Sequence, residues 1–289
     1  MKNWINWLRS EKFTERTIEE HVKSLSLIER WAIENDLDVE QLSYTEVLSY
    51  IQFEQAKELG EQTINNRLNT LSKYYDFLVI GMYRLDNPVK RLRVKETTKS
   101  KYANTIPFER LEGIYQAYLN ESSFREHKGR IAHQRNKVVL GLMIYQALNT
   151  STLKKLEVQY INLEKGTIYI PSSKKSNKRT LMLQSHQILP LHTYLLKTRE
   201  ELEVTGHRLF SENLTSQINS MFKYIQKSYP DLKNADQIRN SIVMHWLKLY
   251  KIREVQYLAG HKYISTTEAF QQDDVDGLQN VLDRFHPLG

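Results

Sequence analysis

The chain has 289 residues, of which 40% are hydrophobic and 26% charged, a balance that suits a folded protein of one large or two ordinary domains. It contains no cysteine, which excludes disulfide frameworks, cysteine-based zinc sites and thiol catalysis. Its net charge of +7 and pI near 9.2 favour a polyanionic partner, because each Lys or Arg set on a phosphate releases counterions.

Residues 1 to about 95 read as helical throughout, with four or five helices and no long alternating strand. The opening run "MKNWINWLRSE" is too polar for a signal peptide, and no run approaches the roughly 18 apolar residues of a membrane span. From Thr14 to Asn35, Ile18, Val22, Leu25, Ile28 and Trp31 recur at spacings of four and three and share one face. Ser43 is placed to cap a helix through Leu59, with Glu46 completing a capping box and Gly60 ending the helix. Thr63 to Ile80 repeats the pattern with Ile64, Leu68, Leu71, Tyr75 and Leu78.

Asn87-Pro88 breaks this regularity. Between Arg84 and Lys101 stand seven basic and two acidic residues, so this stretch holds +5 of the total charge of +7. Concentrated charge of this kind resembles an electrostatic footprint more than general solubility. The expected organisation is a helical domain over 1–95, a basic linker over 96–105 and a mixed domain over 106–289. A long surface loop is the plainer reading of the connector.

In the second domain Pro107 precedes the helix "FERLEGIYQAYL", and "QRNKVVLGLMIYQAL" forms an apolar core helix. Thr167–Ile170 and Thr180–Leu183 make a β-hairpin around a turn rich in Ser, Lys and Asn. The fold class is therefore mostly α with a small antiparallel β-sheet, in two domains. After Gln184 the chain returns to helix. Asp236 to Arg239 opens one helix, with Ile242, Trp246 and Leu249 at core spacing. A second short helix, a Gly-His turn and a third helix follow, with Ser265 and Glu268 at capping-box spacing.

The run "LAGHKYISTTEAFQQ", Leu258–Gln272, together with the hairpin and "DQIR", resembles the tyrosine recombinase, or phage integrase, family across nearly the whole chain. The resemblance implies an N-terminal helical, SAM-like DNA clamp and a mixed catalytic-type domain that attacks a phosphodiester through a tyrosine. Arginine forks and an imidazole would neutralise the non-bridging oxygens, and a hairpin lysine would protonate the leaving 5′ oxygen. No metal or cofactor is implied. Arg239 aligns with the family's second arginine, His261 with the third-box His or Trp, and Lys174, beside Lys175, with the hairpin lysine. Lys90, Arg91, Arg93, Lys95, Lys99, Lys101, Lys175, Lys178 and Arg179 are the expected contacts to double-stranded DNA.

Three positions depart from the pattern. In "ALNTSTLKKLE", Asn149 stands where the family carries its first arginine, and loss of such a preorganised donor costs about 10²–10³ in rate. Asp236 stands at the second-box His, and a carboxylate about 4 Å from a phosphate would cost roughly 4 kcal/mol unless a cation offsets it. Phe270 stands at the nucleophile, and a phenyl ring has no oxygen to attack phosphorus. Tyr257 and Tyr263 lie on the wrong side of the Ser-Thr-Thr step to replace it, and Lys154 and Lys155 follow Asn149 as possible stand-in cations.

Each residue also has a plainer reading: Arg239 as an ion-pair partner, His261 as a turn cap, Lys174 as solvated charge and Phe270 as core. In the tail, Val275, Leu278, Leu282 and Phe285 share a helical face, suited to docking on a second protomer on DNA or on its own domain. His186 and His192 lack zinc-like spacing. The implied protein is a cytoplasmic, nucleoid-associated recombinase or integrase with no membrane partner. A non-catalytic DNA-binding protein of the same descent and a helical interaction scaffold are the alternatives.

Overall fold

A computed structural model describes residues 2–95, 104–122 and 126–271. The chain divides into two compact units, Met1–Lys99 and Ser100–Gly289. Most of the 96–105 linker, including Lys99 and Lys101, lies outside the described residues, as does the tail with Val275, Leu278, Leu282 and Phe285.

The first unit is built from helices α1 (Lys2–Ser10), α2 (Glu15–Glu34), α3 (Tyr44–Ala56) and α4 (Glu61–Ile80). Thr14 caps α2 through Thr17 N, and Ser43 with Glu46 forms the expected capping box on α3. Gly60 differs from expectation. Its φ is −61°, and it is the N-cap of α4; α3 has already ended at Ala56. The apolar faces meet around Trp4, Leu25, Ile28, Tyr50, Leu71 and Tyr75, all fully buried. The buried carboxylate of Glu54 is paired with Arg67.

The segment after α4 stays bound to this unit. Val89 is buried, and Asn65 exchanges two hydrogen bonds with the Val94 backbone at 2.9 and 3.0 Å. Arg84, one of the seven cations in the basic stretch, is spent structurally. It donates to the carbonyls of Glu40 and Leu42 and lies over the Tyr75 ring. Lys90, Arg91, Arg93 and Lys95 are exposed, while Leu92 and Val94 between them turn partly inward. Lys90 also reaches Asp76 at 3.8 Å, an exposed pair of small energetic weight.

In the second unit α6 (His127–Gln146) packs against α5 (Phe108–Leu119), α8 (Ser185–Thr193), α10 (Leu214–Ile225) and α11 (Ala235–Leu249). From Val138 to Ile144 its side chains are buried on every face, as a central helix requires. It ends at Ala147 in a left-handed conformation with φ 50°, and Asn149 then caps the single turn α7 (Thr150–Leu153). Strands β1 (Ile161–Asn162), β2 (Thr167–Ile170) and β3 (Arg179–Met182) form one antiparallel sheet in the order β1-β2-β3. The hairpin is thus as expected except that β3 is shifted one residue toward the N-terminus, Arg179–Met182 in place of Thr180–Leu183, and β1 is too short to read from sequence. After α9 (Arg199–Glu201) and α10, α11 opens on its Asn234 cap, followed by α12 (Ile252–Ala259) and helical residues 264–271. Ser265 therefore lies inside this last helix instead of capping it.

Among the described residues, no helix is long and apolar enough to cross a membrane.

Candidate functional site

Three successive residues organise the site. α12 ends on Gly260 with φ 70°, a left-handed conformation that favours glycine. On one side of this turn the Ala259 carbonyl accepts from Arg239 Nη2 at 2.8 Å. The other end of the Arg239 fork donates to the Ala147 carbonyl at 2.5 Å, so one guanidinium ties α11 to the ends of α6 and α12. On the other side the His261 Nδ1 lies 2.9 Å from Thr267 Oγ1, which holds the imidazole against the last helix and leaves Nε2 for a ligand. Each arginine and histidine side chain has few conformations left, as a preorganised site requires.

The β2–β3 turn closes on this Gly-His turn. Asn177 N donates to Gly260 O at 3.0 Å, and Ser176 forms a β-bridge with His261. Lys174, Lys175 and Lys178 project from the turn and are exposed. The hairpin lysines are therefore carried by a segment fastened to the Gly-His turn.

Arg179, expected as a contact to DNA, is not on the surface of the turn. The residue is 3% exposed, because β3 alternates and puts Arg179 and Leu181 inward. Its guanidinium covers Gly260 so closely that a Cβ there would run into it. Among the described residues, neither Arg179 nor Arg239 has a carboxylate within ion-pairing distance. Burial and the neighbouring Arg239 push the Arg179 guanidinium down to about 10. Burial also lowers Arg239, against which the charge of Asp236 acts. Burial first, and then Arg239 and Arg179, hold the His261 imidazole down to about 4. At neutral pH this site therefore carries two arginine charges and a neutral imidazole.

Phe270 is 4% exposed and packs with Val243, Val255 and Ala259. Its ring stacks on His261 with centroids 5.8 Å apart and planes 18° from parallel. The residue expected at the family's nucleophile position is therefore a core side chain stacked on the imidazole. Asn149 is not turned to a ligand through its oxygen: Oδ1 accepts from Thr152 N at 2.8 Å as the cap of α7. Asp236 is exposed in the first turn of α11, where a carboxylate favours the helix dipole. Tyr257 is committed to the sheet, its hydroxyl bonded to the Thr180 backbone at 3.1 and 3.3 Å. Tyr263 is exposed beside Lys262, and Lys154 and Lys155 are exposed after α7. His186 lies against Tyr145, and no group of three metal-ligating side chains occurs among the described residues.

Known proteins resemble this chain in sequence and fold. The description "Phage integrase family" matches residues 125–276, and "Phage integrase, N-terminal SAM-like domain" matches residues 1–80. The TnP I resolvase of Bacillus thuringiensis is 23% identical over 290 residues, covering 98% of each chain. The tyrosine recombinase XerC of Escherichia coli is 23% identical over 299 residues, covering 99% of this chain and 96% of that protein. Among solved structures, the Tn1549 transposon integrase in complex with transposon right end DNA superposes with a TM-score of 0.72 at 13% identity, over 98% of each chain. The XerH site-specific recombinase bound to palindromic difH substrate gives 0.69 at 16% identity, over 92% of this chain and 78% of that one. These likenesses agree in fold, the N-terminal helical unit and the mixed unit alike. The chain belongs to the phage integrase family.

Proposed function

We propose that the protein binds duplex DNA in the manner of a tyrosine recombinase, holding one backbone phosphate between Arg239, His261 and Lys174 of the β2–β3 turn. The observation that carries this reading is the convergence of the buried Arg179 guanidinium, the half-buried Arg239 guanidinium and an imidazole on one turn, with no carboxylate paired to either arginine among the described residues. Such a cluster is costly to bury and suits a polyanion. Descent from enzymes named for recombination supports site-specific recombination or integration of mobile DNA as the lineage chemistry. The exposed cations Lys90, Arg91, Arg93, Lys95, Lys175 and Lys178 add phosphate contacts and a steep dependence on salt. Closure of both units on DNA as a clamp, and self-association through the C-terminal tail, belong to the same proposal.

As it stands the chain binds without cutting. Phe270 offers no oxygen to phosphorus, Tyr257 is bonded to the sheet, and Asn149 supplies a helix cap where a second positive fork would act. These three features favour a DNA-binding accessory or competitor at recombination sites over an active recombinase. The test is Phe270→Tyr on a nicked suicide duplex. A covalent protein–DNA adduct would assign the protein to the active class with one residue replaced. Intact DNA binding with no adduct supports the binding role. Absence of salt-sensitive retention on duplex DNA by the unaltered chain overturns the proposal in favour of an interaction scaffold.

A further inference from the structure

Arg179 is the feature of this site that its own fold does not explain. A buried arginine is ordinarily matched by a carboxylate or by a full set of acceptors. Arg179 is 3% exposed, and its Nε has no hydrogen-bond partner among the described residues. Its Nη1 has only two distant acceptors, Ser176 Oγ at 3.2 Å and Asn177 O at 3.4 Å. It lies against Gly260, beside the carbonyl that receives Arg239 and the residue that carries the imidazole. The two guanidiniums repel each other, and both lower the proton affinity of His261. A fold gains nothing by burying one guanidinium against a second, half-buried one; an anion bonded by both gains from each.

Resting on the phosphate-binding reading above, we infer that Arg179 is the second guanidinium of the pocket, bonding a non-bridging oxygen of the same DNA phosphate as Arg239. It thereby supplies from β3 the positive fork that Asn149 does not supply from the start of α7. The glycine at 260 is then required twice, for its left-handed backbone and for the bare Cα that lets the Arg179 guanidinium lie flat against the turn. Lys178, one residue away and exposed, is the matched control: it contributes charge to the surface and none to the pocket.

The experiment compares the unaltered chain with Arg179→Met, Arg179→Lys and Lys178→Met, measuring affinity for a duplex of fixed sequence across a salt series and thermal stability without DNA. The expected result for Arg179→Met is an affinity roughly tenfold or more lower at moderate salt, with the slope of log K against log salt smaller by about one. Stability without DNA should be unchanged or higher, since a repelled, desolvated charge is removed. Arg179→Lys should restore the slope but only part of the affinity, because a point charge replaces the fork. Lys178→Met should lower affinity by a few-fold only. Unchanged DNA affinity in Arg179→Met, or a lower melting temperature with affinity lost in proportion, overturns the inference and makes Arg179 a structural residue. Failure of the unaltered chain to bind duplex DNA at all overturns instead the phosphate-binding reading on which it rests.

Discussion

Gly260→Ala perturbs fold and pocket together, and the two parts can be separated. At φ 70° an alanine costs about 1–2 kcal/mol in backbone strain. Its Cβ also runs into the Arg179 guanidinium, which is packed under the β2–β3 turn and has little room to withdraw. Overpacking of this kind costs typically about 1–3 kcal/mol, so the whole loss should be about 2–5 kcal/mol. On an Arg179→Met background the obstructing head group is gone. There Gly260→Ala should cost only the strain, which leaves a coupling of about 1–3 kcal/mol between the two changes. Three of the four tryptophans, Trp4, Trp7 and Trp31, lie in the first unit, so fluorescence reports mainly on the wrong part of the chain. Native-state hydrogen exchange is the suitable assay, read at the Asn177 amide, which donates to Gly260 O. Additive losses, with the same cost of Gly260→Ala in both backgrounds, would refute the packing of Arg179 on this glycine.

Acid should destabilise the second unit. His261 and His133 are both held near 4 by burial, against an ordinary value of about 6.5. Between those limits the unfolded chain takes up protons that the folded unit does not. Stability is full above about pH 6.5 and falls as pH drops toward 4, by about 3 kcal/mol for each imidazole. Denaturant titrations at several pH values check this, and a flat profile for the second unit across that window refutes it. Phosphate bound beside His261 should favour its protonated form, so duplex affinity should rise as pH falls through the same window; a His261→Gln variant should lose that rise. Asn149→Ala should cost about 1 kcal/mol of stability through the lost cap on α7 and change DNA affinity by less than about twofold. A large affinity loss in that variant would show that the amide reaches the phosphate. Phe270→Tyr should lower stability by about 1–3 kcal/mol if the new hydroxyl is buried without a partner, and melting curves measure this.

Much of the fold was legible because local rules and tertiary packing agree. Ser43 and Glu46 form their capping box, Thr14 caps α2, and the spacing of Ile18, Leu25 and Ile28 marks the face that is buried. Thr167–Ile170 appears as read, since β-branched residues and the polar turn point the same way. Gly60 misled because a glycine between two helices can end one or start the other, and only the backbone decides. The meeting of Arg239 with His261 was legible only through the family pattern: their neighbourhood is made by two carbonyls, of Ala147 and Ala259, which no side-chain sequence announces. Arg179 was legible in principle. With the strand begun at Thr180 it reads as one more turn cation; begun one residue earlier, strand alternation puts it on the face of buried Leu181. Arg84 was counted in the charge of the basic stretch, and a charge count cannot see the Glu40 and Leu42 carbonyls that hold it.

The central claim is that Arg239, with its neighbours on the Gly-His turn, grips a DNA phosphate. The most direct measurement is the salt dependence of duplex binding for the unaltered chain and for Arg239→Gln, with hydrogen exchange confirming that the variant is folded. The account predicts tight, steeply salt-dependent binding by the unaltered chain, and in the folded variant a loss of roughly tenfold or more with the slope reduced by about one. Equal affinity and equal slope for the two proteins would contradict it.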